Sequence, residues 1–473
     1  MIDGLKPYPE YKDSDLPWLG KIPTHWELKR GKSIFQRIDK RSANGKEELL
    51  TVSSARGVVP RRTAQVTMFK AESYAGYKLC WPGDLVINSL WAWAGGLGVS
   101  QHHGIISSAY GVYRLRPDAA ATPAFINEVV RSSPFNWELH IRSKGIWTSR
   151  LQLTDESFLD TPFHLPPPDE QAAIVRFFDH ANGRIERTIR AKKKLVALLN
   201  EQKQAIIHRA VTRGLDPTVP LIPSGIPWLG DIPKHWKTRK IKSLVSTVGG
   251  MTPNRGVERF WGGQMPWVTP KDMKVREIAD SQDHITNAAL RETSISIVRP
   301  PAVLIVVRGM ILARTFPTAL TLVPVTVNQD MKALIPQEAE LRPDYMVSLF
   351  TGIERELLQL VEIAGHGTCC LRTDSWENFV LPLPPLLEQV AIGDRLGLEL
   401  GTLHRTISHT EREVALLREY RTRLTADVVT GKLDVREAAR DLPDTAEEAG
   451  AMEEIEELTD VEPEDAEPED VET

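Results

Sequence analysis

The sequence is poor in the residues that would tie a chain together covalently or hold it in a bilayer. Among its 473 residues there are three cysteines, Cys80, Cys369 and Cys370. They are too few for a disulfide framework, and the adjacent pair lacks zinc-site spacing. A reducing compartment, the cytoplasm, is the expectation that follows. No apolar run approaches the roughly 20 residues that span a membrane; Ala302 to Val307, the best of them, ends at Arg308. The opening residues MIDGLKPYPEYKDSD contain no basic segment followed by an apolar stretch, so no secretory signal is read there. Basic residues are missing altogether after Arg440, where 16 Asp and Glu stand without one Lys or Arg.

That last absence decides how the net charge of −5 is read. Residues 1 to 440 hold all 58 Lys and Arg and the remaining 47 of the 63 Asp and Glu, a net of +11. A basic body with an acidic tail points to a polyanionic partner. The tail, residues 436–473, is of low complexity and is expected to be disordered. The chain as a whole has the composition of ordinary globular protein, 41% hydrophobic and 26% charged, and a length that suits two or three domains.

The chain is written twice. LPWLGKIPTHW at residues 16 to 26 returns as IPWLGDIPKHW at 226 to 236, identical at eight of eleven positions, including two Trp and one His. Lys32-Ser33 and Lys242-Ser243 keep the same offset of 210. LPPPDEQAAI from Leu165 returns as LPPLLEQVAI from Leu383, and Val211-Thr212 with Leu215-Asp216 returns as Val429-Thr430 with Leu433-Asp434, both at an offset of 218. Each copy is thus a variable globular part followed by a segment of fixed length. The two interiors share little visible sequence, and short β-rich runs with occasional helical stretches suggest α/β or α+β domains.

The fixed segments begin after proline clusters, a suitable place to start a helix. Beyond the Glu-Gln pair, Ile185, Ile189, Val196, Leu199 and Ile206 fall on a heptad seam, as do Leu403, Ile407, Val414, Leu417 and Leu424 at the same places in the second copy. Lys192, Lys203 and Arg421 occupy further seam positions, so the seam is not perfectly dry. Gly397 and Gly401 weaken the start of the second helix. Two long helices of equal length, each with an apolar stripe, are best paired, and a linker rich in Pro and Gly makes an antiparallel pairing plausible.

The order PWLG-x-IP-x-HW, variable domain, LPP-x-x-EQ-x-x-I helix, and then the same again resembles the specificity (S) subunit of type I restriction-modification systems. The resemblance covers about residues 16 to 435. It implies two globular target recognition domains separated by two long helices forming an antiparallel coiled coil, with an internal pseudo-two-fold repeat. The expected division is recognition domain 1 at 1–165, central helix 166–213, linker 214–225, recognition domain 2 at 226–382, C-terminal helix 383–435 and the acidic tail. It implies double-stranded DNA with a bipartite site as one partner, two methyltransferase (M) subunits and restriction (R) subunits as the others. Adenine N6 methylation and DNA cleavage, with S-adenosylmethionine, ATP and Mg, belong to those partners, and no cofactor or metal is expected on this chain.

The residues agree with a non-catalytic role. No Asn/Asp-Pro-Pro-aromatic loop of an adenine methyltransferase stands near the Pro-rich segments. Gly31-Lys32-Ser33 imitates a phosphate-binding loop, yet Trp26 occupies the place of its earlier Gly. Two rival readings remain: a helical scaffold with only non-specific DNA binding, and an independent nuclease, for which no catalytic constellation is visible.

For DNA contact, Arg and Lys suit phosphates and guanine, and Asn and Gln suit adenine. Candidates in the first domain are Ser53, Arg56, Arg61 and Arg62, then Lys144, Trp147 and Arg150. The second offers Thr269, Lys271, Arg308, Arg314, Asn328 and Gln329. Any one of them could equally be a solvated surface residue or a turn. Trp91 and Trp93, two apart before Gly95-Gly96, are expected on one face of a strand as domain core, with a place near DNA as the lesser alternative. Trp18, Trp26, Trp228, Trp236, His25 and His235 recur in domains that should read different sequences, which marks them as structural.

Overall fold

A computed structural model describes residues 5–64, 73–145, 151–364, 367–440 and 442. The chain forms two compact units, residues 1–191 with 413–473 and residues 192–412. The division falls inside both long helices, so each unit owns one end of each.

The first unit is built on four short strands, β1 (Phe35–Arg37), β2 (Leu85–Ile87), β3 (Leu97–Val99) and β4 (Gly111–Leu115), in the spatial order β1-β4-β2-β3 with every neighbour antiparallel. Val86, Val112, Ile87 and Leu97 are buried almost completely. A helix at Pro123–Val130 starts with Pro at its first turn and with Thr122 accepting the Phe125 N–H, which places a helix start where both signals predict one. The helix α1 (Pro168–Arg213) then leaves the domain. Its 46 residues measure about 69 Å at 1.5 Å each.

The second unit repeats the plan. Strands β5 (Val245–Gly249), β6 (Val303–Val306), β7 (Thr318–Thr321) and β8 (Met331–Pro336) lie in the order β5-β8-β6-β7, again antiparallel, with Glu277–Ile278 added in parallel at the edge of β7. A helix at Pro343–Gly352 stands where Pro123–Val130 stands in the first unit, and α2 (Leu386–Val429) follows as α1 does. The second unit adds a separate three-stranded sheet, Asp283–Ile285, Trp261–Val268 and Thr326–Val327, with its own small core around Phe260, Trp267 and Ile285.

Both helices lie within the segments expected for them: α1 begins at Pro168, the last proline of its cluster, and α2 begins at Leu386, just past its own prolines, and ends at Val429, before a separate turn of helix at Arg436–Arg440. Gly393, Gly397 and Gly401 are helical, and a Cβ on any of them would meet nothing within 4 Å. In the first unit the core holds Phe177, Phe178 and Ala181 of α1 with Leu424, Val428 and Val429 of α2, while Ile185 and Ile189 pack with Val414, Leu417 and Tyr420. Progress along α1 therefore matches retreat along α2, and the two run antiparallel there. Arg421 pairs with Glu186 at 2.9 Å beside that seam, which explains a charged residue at a heptad position. In the second unit Ile206 and Leu403 pack on the core, Ile407 is buried, and Val196 and Leu199 are half-buried.

Candidate nucleic-acid interface

Each domain is closed by the same clasp. In the first unit the Glu170 carboxylate, in the first turn of α1, accepts hydrogen bonds from Trp26 Nε1 at 2.8 Å and the Tyr8 hydroxyl at 2.6 Å, and lies 2.7 Å from His25 Nε2. In the second, Glu388 accepts from Trp236 Nε1 at 3.0 Å and lies 2.7 Å from His235 Nε2. The neighbouring glutamines act alike. Gln171 accepts from the Thr122 N–H and donates to the Ala120 and Pro166 carbonyls, and Gln389 accepts from the Arg342 N–H and donates to those of Glu340 and Pro384. The doubled Trp, His, Glu and Gln thus tie the start of each long helix to its own domain. The first unit alone adds Tyr8, whose phenol burial and the Glu170 carboxylate push far above its ordinary pKa, and Arg436, which is paired with Asp434 and reaches Glu170 at 4.0 Å.

Behind the first clasp lies His164, fully buried and stacked on Trp26. Its Nε2 is 2.5 Å from the Val429 carbonyl, and its Nδ1 has no partner. Burial lowers its pKa to about 4, since a second proton would have no acceptor.

The surfaces around this frame differ between the domains. In the first, Ser53 ends a strand and accepts the Arg56 N–H, Arg56 is exposed and bonds the Thr63 carbonyl, and Arg62 pairs with Glu48. Arg61 lies on the same 3-10 turn, Arg61–Thr63. Lys144 is exposed and bridges Gln152 through its backbone, while Trp147 and Arg150 lie outside the described residues. Arg131, which the sequence did not single out, braces this surface: its guanidinium donates to the carbonyls of Ser54, Ala55 and Leu97. Burial lowers the pKa of that guanidinium, and the three bonds hold the 53–57 turn against the start of β3.

In the second domain the candidates divide. Thr269 belongs to a capping box with Asp272, and Asn328 is buried and donates its amide to Asp330, so both side chains serve local turns. Lys271, Arg308, Arg314 and Gln329 are exposed. The Arg308 N–H bonds the Asp330 carbonyl, and Gln329 accepts from Thr252, which gathers Arg308, Gln329 and Thr252 at one end of the β5–β8 sheet. Arg255, also missed in the sequence, lies over the rings of Trp261 and Trp267 at 5.4 and 5.7 Å; its sequence signal was only a Pro253-Asn254 turn.

The Trp91–Trp93 segment departs from the core reading. It is the connection between β2 and β3, with Ala92–Ala94 in a 3-10 turn. Ala92 is the buried residue, whereas Leu90 and Trp91 are 50% and 43% exposed. The two indoles stack on each other, 5.8 Å apart, instead of entering the sheet core. The alternation of Trp with Ala imitates a strand, but Gly95, left-handed at φ 81°, turns the chain back.

Among the described residues there is no cluster of His, Cys, Asp or Glu that could hold a metal ion, and no helix long and apolar enough to cross a membrane.

Residues 233–406 match the type I restriction modification DNA specificity domain. The chain is 32% identical over 184 residues to the EcoR124I/EcoR124II specificity subunit of Escherichia coli, an alignment that takes 38% of this chain and 45% of that one. It is 32% identical over 174 residues to the MjaIX specificity subunit of Methanocaldococcus jannaschii, over 36% and 39% of the two chains. The matched part thus spans under half the length of each relative. A solved chain of the type I R-M system shares the fold, with a TM-score of 0.65 at 18% identity over 86% of this chain and 98% of that one.

Proposed function

We propose, from the premise that this chain carries a type I restriction modification DNA specificity domain and resembles named specificity subunits, that it is the DNA-reading subunit of such a system. Its two domains read the two halves of a bipartite duplex site. The observation that carries this is the pairing of sameness and difference. Both domains have the same four-strand order and the same Trp-His-Glu clasp, yet Arg56 and Arg62 stand on one surface and Lys271, Arg308 and Gln329 on the other. A scaffold needs the sameness and has no use for the difference, whereas two half-sites need both.

The basic side chains supply the sequence-independent part of binding, phosphate neutralisation that releases counterions. Their placement on turns at sheet ends lets a few of them reach base edges as well. The long helices are the surfaces for methyltransferase subunits, two by the symmetry of the repeat, and restriction subunits join through these. Methylation at adenine N6 and cleavage, with S-adenosylmethionine, ATP and Mg, take place on the partners in the cytoplasm. The test is to map methylated adenines across the genome with and without this chain. The reading expects a bipartite motif that disappears when the chain is removed; a methylation pattern indifferent to the chain rejects it.

A further inference from the structure

The connection between β2 and β3 and that between β6 and β7 occupy the same place in the two sheets, and both are built in an unusual way. Hairpin apices ordinarily carry Gly, Asn, Asp or Ser. Here Leu90 and Trp91 stand at one, and Met310, 64% exposed, stands at the other. Each connection folds a 3-10 turn, Ala92–Ala94 or Met310–Ala313, and each turn buries one apolar residue as an anchor, Ala92 or Leu312, while Trp91 or Met310 is exposed.

Both tips are held firmly. Trp93 Nε1 donates to the Leu90 carbonyl at 3.0 Å, and a Cβ on Gly96 would come within 2.8 Å of the Trp91 carbonyl oxygen, so the backbone crosses itself too closely for any other residue. In the second domain Gly309 has φ 138° and donates to the Cys369 carbonyl. An exposed apolar tip that is already rigid has little entropy left to lose on binding, which is the condition for it to contribute affinity.

What surrounds the tips selects the occupant. Arg308 and Arg314 flank Met310, and all three are exposed. In the first domain the 53–57 turn, with exposed Arg56, lies against the Trp turn: a Cβ on Gly95 would touch Ser54 at 4.0 Å. An apolar point with exposed arginines beside it does not match the apolar face of a folded protein. It matches a DNA groove, where phosphates form the walls and base methyls and ring edges form the floor.

We infer that these two connections are the base-reading tips of the chain, with Leu90 and Trp91 touching bases of one half-site and Met310 those of the other through apolar contact. The inference rests on the proposed DNA-reading function and adds to it the residues that determine specificity. Apolar contacts neutralise no phosphate, so the tips contribute to sequence preference without contributing to the salt dependence that the arginines set.

The experiment uses the full chain, alone and with methyltransferase subunits added, selecting from a randomised duplex library. Leu90→Ala with Trp91→Ala is expected to change preference in one half only and Met310→Ala in the other. Each should weaken binding to the best wild-type duplex by roughly tenfold, the loss of about one base-pair preference, with the slope of affinity against salt unchanged. Arg308→Ala should instead lower that slope by about one. Leu90→Ser and Met310→Ser leave the indole stack in place and serve where the double variant unfolds. If the wild-type chain selects a bipartite motif and the tip variants select the same one with affinity within twofold, the inference fails and the proposed function stands. A loss of salt slope in the tip variants also overturns it. If the wild-type chain selects no motif, the proposed function fails and takes the inference with it.

Discussion

Replacing the two clasp glutamates by alanine separates the two domains by stability. Glu170 is 5% exposed and serves three donors, of which Tyr8 and Trp26 are themselves buried. Glu170→Ala leaves both without an acceptor, at about 1–3 kcal/mol for each buried group left unmade, while half-exposed His25 turns to water. The expected loss is therefore about 4 kcal/mol. The Glu388 side chain is 25% exposed, and Trp236 and His235 share a single oxygen, Oε2. Water can replace that carboxylate, and Glu388→Ala should cost about 1–2 kcal/mol. Hydrogen exchange reports the two units separately: Glu170→Ala should lower protection around the Lys21–Pro23 strand and the end of α2, with little change at residues 237–240. Equal losses in the two units, or a loss below about 1 kcal/mol for Glu170→Ala, would refute the ranking by burial.

Three further outcomes follow from single positions. His164 gains no proton in the folded state until about pH 4, whereas the unfolded chain takes one near 6.5. Its stabilising contribution is therefore full above pH 6.5 and declines by about 3 kcal/mol as pH falls toward 4; urea midpoints for His164→Gln should show a flatter decline, and an unchanged slope would contradict the assignment. Gly397→Ala and Gly401→Ala, in helix with open space at Cβ, should each raise stability by about 1 kcal/mol, read as a higher melting temperature. Arg131→Ala should free the 53–57 turn, raising its exchange rate and weakening recognition of one half-site while the other is read as before.

How much of this was legible in the sequence varies with the range of the interaction involved. The long helices announced themselves because heptad spacing and proline starts are local, and the duplication did so because two Trp and a His recur in register. That Trp26 and His25 meet Glu170 was not legible: the residues repeat at offsets of 210 and 218, but nothing local says that they touch. Runs such as Leu85–Ile87, Gly111–Leu115 and Val303–Val306 read as short β-rich segments and are strands, but which strand pairs with which was hidden for a related reason. Strands of three to six residues, such as Leu85–Ile87 and Met331–Pro336, are defined by partners far along the chain, and the two copies share almost none of their side chains. Asn328 shows the limit of residue type as a guide, since an amide fit to read adenine is used by its own turn. Trp91 and Trp93 show the limit of periodicity, because a two-residue alternation fits a hairpin apex as well as a strand when Gly follows.

The central claim is that each domain reads its own half of one site. The direct measurement is methylated-adenine mapping in cells carrying chains with residues 57–62 replaced or residues 271–274 replaced. The account predicts that the first exchange alters only one half of the motif, the second only the other, and that the gap between the halves is kept in both. A first-domain exchange that degraded both halves equally would contradict separate readout by two domains.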